Sequence, residues 1–105
     1  MDKNRKNRMV TVRNAQGLHA RPADMFVRLA SQFEASVTII KDGEPFDGGS
    51  ILSVMTLGAE QGTQLILQAE GADAELALNA LTELFARGFD EMNITEPAED
   101  QSADG

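Results

Sequence analysis

The chain has 105 residues, no cysteine, one histidine and a formal net charge of −8. That inventory points to a single small domain and excludes a disulfide scaffold, a thiolate metal site, a cysteine nucleophile and a multi-histidine metal cluster. No apolar run reaches the length of a membrane span and the polar start Met1-Asp2-Lys3-Asn4-Arg5-Lys6 has no signal-peptide stretch, so a cytoplasmic protein without a membrane partner is expected.

The charge is unevenly spread. Residues 1–8 carry Lys3, Arg5, Lys6 and Arg8 against Asp2 and are expected to form a basic N-terminal tail. Residues 90–105 carry Asp90, Glu91, Glu96, Glu99, Asp100 and Asp104 without a cation, and have too few apolar groups to offset the entropy of ordering, so an acidic disordered tail is expected there. The folded domain is placed at 9–89. Its acidic body, without Trp or Tyr, argues against a nucleic-acid partner.

Val10 and Val12 alternate with Thr11 and Arg13, which predicts a half-buried first strand. Pro22 suits the first turn of a helix, and Ala23, Phe26, Leu29, Ala30 and Phe33 follow at helical spacing. Val37 and Ile39 mark a second strand, Asp42-Gly43 a tight hairpin, and Pro45 confines the short strand around Phe46 to an edge. Ser50 precedes a short apolar helix, Ile51 to Leu57, as an N-cap would. Leu65, Leu67 and Ala69 supply the inner face of a last strand. A final helix is expected to start at an Asp73 cap, to bury Leu76, Ala77, Ala80, Leu81, Leu84 and Phe85, and to end at Gly88 with Phe89 against Leu84. The pattern is βαββαβα, an α+β chain whose economical packing is a four-stranded antiparallel sheet with three helices on one face. Periodicity leaves the strand order open between this and a ferredoxin-like arrangement.

His19 lies just ahead of the first helix, where free backbone N–H groups of Ala20 and Arg21 and the positive end of the helix dipole form an anion site. Arg21 adds a planar fork of donors two residues away. These positive surroundings disfavour imidazolium and leave a neutral ring nitrogen available for attack on phosphorus. Gly17 lets the backbone bend sharply before the histidine. A lone loop histidine is by itself more simply a solvated or capping residue. The order Gly17-Leu18-His19-Ala20-Arg21-Pro22, between a strand and a helix, favours a nucleophile.

These residues resemble HPr, the histidine-containing phosphocarrier family of the bacterial phosphoenolpyruvate-dependent phosphotransferase system, including its nitrogen-branch carriers. A second block, Ser50-Ile51-Leu52-Ser53-Val54-Met55-Thr56-Leu57-Gly58 followed by Gln61-Gly62-Thr63, is similar to the family's serine-helix segment and the turn after it. The likeness runs from about Met9 to Phe89. It implies an open-faced β-sandwich with strand order one, four, two, three. It also implies a phosphoryl group taken on Nδ1 of His19 from the phosphohistidine of enzyme I and passed to a IIA-type domain, with Arg21 assisting and no metal or cofactor on the carrier. Such a chain is one station of a relay rather than a stand-alone enzyme, and is expected to be a monomer.

Ser50 resembles the serine that a dedicated kinase phosphorylates, and a phosphorylase relieves, in many members. A helix cap explains a serine there equally well, and Gly48-Gly49 replaces the polar or basic residues many members carry before it. Ile51, Leu52 and Met55 resemble the family's apolar docking patch. Three large apolar groups on so short a helix cannot all point inward, so at least one is expected to be exposed. Arg28 resembles a basic position that meets the donor enzyme, and Asp24 departs from the cationic rim around it. A rival reading is a regulatory binding module whose phosphorylation state signals to enzymes or transcription factors.

Overall fold

The computed structural model describes residues 4–91. Four strands, β1 (Arg5–Thr11), β2 (Ser36–Lys41), β3 (Glu44–Asp47) and β4 (Gln64–Glu70), form one antiparallel sheet in the order β1-β4-β2-β3. Helices α1 (Ala20–Ala30), α2 (Ile51–Thr56) and α3 (Ala74–Ala86) and a short 3-10 turn (Gly88–Asp90) complete the chain. The α+β open-faced sandwich, including its strand order, is as the resemblance implied. Among the described residues no helix is long and apolar enough to cross a membrane.

Alternation decides the two faces of the sheet. Val10, Val37, Ile39, Leu65, Leu67 and Ala69 point inward and are buried, with Ala23, Phe26, Val54, Ala77, Leu78, Leu81 and Phe85 from the helices closing over them. The other face is open, and Met9 and its cross-strand partner Ile66 are exposed on it. Asp42 (φ 52°) and Gly43 (φ 82°) turn β2 into β3 with both φ values positive, the twist a tight hairpin needs, and Pro45 sits in the edge strand β3.

Several expectations are corrected. The fold begins before residue 9: Arg5 pairs with Glu70 in register, and the Arg8 guanidinium donates to Asn79 Oδ1 at 3.1 Å, so these cations belong to a strand rather than a tail. Asp73 does not cap α3 with its side chain. Its carboxylate instead accepts the backbone N–H groups of Glu34 and Ala35 at 2.9 and 2.8 Å, tying the start of α3 to the approach to β2. Leu76 is 63% exposed while Leu78 is fully buried, because the inward stripe of α3 runs Ala74, Ala77, Leu78, Leu81, Leu84, Phe85. Ala80 is half-buried.

The expected acidic tail also begins too early. Gly88 (φ 62°) stops α3 in the left-handed region, as expected of a C-terminal glycine, but Phe89 (φ 55°) and Asp90 (φ 62°) continue there. A left-handed conformation is strained for side-chain-bearing residues and persists only where surroundings over-determine it. Phe89 is fully buried, its ring edge-on to Phe85 at 4.9 Å, and Arg87 Nε donates to Asp90 Oδ1 at 2.9 Å. This turn reverses the chain and delivers Glu91 to the histidine loop. The remainder of the expected tail, residues 92–105, lies outside the described residues.

Candidate phosphoryl-transfer site

His19 is the N-cap of α1, with extended backbone angles (φ −86°, ψ −164°) and its carbonyl accepting from Ala23 N at 3.0 Å. Its side chain makes no capping hydrogen bond, which removes the capping explanation of the residue. Ala20 and Arg21 then occupy the first two helical positions, whose N–H groups have no carbonyl one turn earlier, and Pro22 behind them has no N–H to offer. The helix therefore presents two backbone donors beside the imidazole, the pair expected to hold a phosphoryl group.

The preceding loop is fixed from two sides. Gly17 adopts φ 72° and packs so closely on the segment after α2 that a Cβ there would lie 2.4 Å from the Ala59 carbonyl oxygen, so glycine is required for both reasons. Leu18 N donates to that same carbonyl at 2.9 Å. Asn14, almost completely buried, donates Nδ2 to the Gly17 carbonyl at 2.8 Å and to Glu91 Oε1 at 3.0 Å.

Glu91 is the residue the sequence reading missed. Its Oε2 lies 3.0 Å from His19 Nε2 and 2.9 Å from Arg21 Nη1, so one oxygen joins the two residues expected to carry the chemistry. The Glu91 side chain is 13% exposed, against 38% for His19 and 52% for Arg21. Burial alone would raise its pKa. Hydrogen bonds from Asn14, His19 and Arg21, together with the charge on His19, outweigh that and hold the carboxyl below the usual carboxylate range. The positive surroundings expected from the helix N-terminus and Arg21 therefore also hold a carboxylate, brought by the turn after α3. Asn14 had no more signal in the sequence than its nearness to the loop.

The remaining candidates lie around this centre. Arg28 is highly exposed, and its Nε donates to Asp24 Oδ2 at 2.8 Å, an i,i+4 pair with the acid on the N-terminal side, so the carboxylate that departs from the cationic rim is paired with the cation beside it. Ser50 Oγ accepts from Ser53 N at 3.2 Å as the N-cap of α2. Ile51, Leu52 and Met55 are all exposed, Leu52 at 74%, while Val54 alone of the helix is buried. Since α2 packs on α1, this apolar surface lies on the helical layer that carries the histidine loop.

The family model described as "PTS HPr component phosphorylation site" matches residues 6–87. A phosphocarrier protein HPr of Streptomyces coelicolor is 45% identical over 89 residues, 84% of this chain and 96% of that protein. A multiphosphoryl transfer protein of Escherichia coli O157:H7 is 42% identical over 83 residues, which are 76% of this chain but only 22% of that longer protein. The crystal structure of HPr-C-His from Thermoanaerobacter tengcongensis superposes with a TM-score of 0.79 at 41% identity, covering 82% of this chain and 97% of that one. With its βαββαβα order, its strand arrangement and its histidine at the first helix, the chain belongs to the HPr phosphocarrier family of the phosphotransferase system.

Proposed function

We propose that this chain carries phosphoryl groups in the cytoplasm as a monomer, taking them on His19 from the phosphohistidine of enzyme I and passing them to a histidine of a IIA-type domain. One observation carries this reading: a partly exposed imidazole at a helix N-terminus, with two backbone donors and a guanidinium beside it. Nδ1 of His19 attacks phosphorus, the donor's N–P bond breaks with its electron pair returning to the donor ring, and the transfer reverses on the acceptor. Little covalent chemistry falls to the protein, so positioning and charge stabilisation by Ala20 N, Arg21 N and the Arg21 side chain dominate. No cofactor on the carrier is required. Ile51, Leu52 and Met55 form the docking surface, flanked by Arg28, and phosphorylation of Ser50 by a kinase would place negative charge at its edge.

The test is labelling with enzyme I, phosphoenolpyruvate and magnesium. The wild type gains an acid-labile phosphate by mass, and His19→Ala, still folded by circular dichroism, gains none. Undiminished labelling of the variant overturns the assignment. Delivery is favoured over a purely signalling module because His19 and Arg21 stand together with the helix donors.

A further inference from the structure

We infer that Glu91 is a positioning residue of this site, whose carboxylate holds the proton of His19 on Nε2 and anchors the imidazole and the Arg21 guanidinium to one point. The inference rests on the phosphocarrier reading and extends it to a residue beyond the matched family segment.

A carboxylate can only accept hydrogen bonds, so the 3.0 Å contact between Oε2 and His19 Nε2 requires a proton on Nε2. In the neutral ring the other nitrogen, Nδ1, then carries the lone pair. The lowered pKa of Glu91 keeps it ionised, and so an acceptor only, throughout the neutral range. Asn14 secures the carboxylate from the far side. Both of its Nδ2 donors are used, one by Gly17 and one by Glu91, so the amide cannot be turned over without setting oxygen against oxygen.

The balance of the transfer gives the carboxylate a second task. When Nδ1 forms its bond to phosphorus and the donor nitrogen takes back its electron pair, the His19 ring retains the Nε2 proton and becomes cationic. The negative charge of Glu91 already faces that nitrogen, where positive charge develops, and it needs no reorganisation to act. Arg21 gives one N–H to Glu91 and keeps its remaining guanidinium donors for the phosphoryl oxygens.

The experiment compares the full chain with Glu91→Ala and Glu91→Gln, the second keeping side-chain size should the first be unstable. Long-range proton–nitrogen spectra of the His19 ring above neutral pH read the tautomer without enzyme I. The wild type is expected to show essentially only the Nε2–H form, and Glu91→Ala a mixture. Labelling by enzyme I is expected to slow by about tenfold, the scale on which carboxylates that orient a histidine act, with the loss in kcat rather than KM. A folded variant that keeps the wild-type tautomer, or the wild-type rate, overturns the inference. Failure of the wild type to be labelled at all would instead sink the phosphocarrier reading, and the tautomer measurement would stand apart from it.

Discussion

Arg21 and Glu91 meet at 2.9 Å between Nη1 and Oε2 although 70 positions separate them in the chain. The pair sets the guanidinium beside the imidazole before any partner arrives, and makes the shape of the arginine fork matter as much as its charge.

Arg21→Lys is therefore expected to fold normally and transfer more slowly, by about 10–100-fold, because a compact ammonium cannot bridge Glu91 and a phosphoryl group with separate planar donors. Single-turnover labelling by enzyme I checks this. Unchanged rates in both directions would leave the backbone donors of the helix as sufficient.

The pH dependence of stability follows from the sign of the Glu91 shift. Its folded-state pKa is lowered, so the stabilisation is present above the ordinary carboxylate range and is lost as pH falls through the lowered value. Urea denaturation of wild type and Glu91→Gln should differ by about 1 kcal/mol near neutral pH. The two curves should converge only as pH falls through the lowered pKa, below the ordinary carboxylate range, where the carboxyl is protonated in the folded state as well. A gap that widens with acid contradicts the assignment.

At Ser50 two substitutions separate capping from regulation. Ser50→Ala removes the acceptor for Ser53 N and should cost about 1 kcal/mol with little effect on transfer. Ser50→Asp can still cap the helix but places a charge beside Ile51 and Leu52, so phosphorylation of His19 by enzyme I should slow. Equal transfer rates in two folded variants would reduce Ser50 to a cap.

Asp73→Ala should lower stability by about 1–2 kcal/mol, since it strands the N–H groups of Glu34 and Ala35, and should leave labelling of His19 unaffected. Chemical denaturation and the labelling assay measure the two effects independently.

Alternation and helical spacing are local properties, and they made the strands, the helices and the histidine loop legible in the sequence. Strand order is not local, and it came from resemblance. The misplaced residues share a physical reason. Asp73 serves a segment nearly forty positions away rather than its own helix, and Arg5 and Arg8 gain a strand only because β4 offers them an edge. Glu91 stands in an acidic run with the composition of a solvated tail, and only the left-handed path through Phe89 and Asp90, fixed by burial of the Phe89 ring, takes it to His19. No window along the sequence contains that information.

The close seat of Gly17 on Ala59 has a consequence for how partners are met. Leu18 N and the Ala59 carbonyl, Val12 N and the Thr63 carbonyl, and Gly62 N and the Val12 carbonyl, at 2.8 to 2.9 Å, stitch the histidine loop to the segment that follows α2. The histidine loop and the segment leading from α2 are therefore held together, and on the proposed function a visiting protein has little loop entropy to remove on association. For the proposed carrier, which binds a donor and an acceptor in succession, this lets complexes form fast through a preset surface.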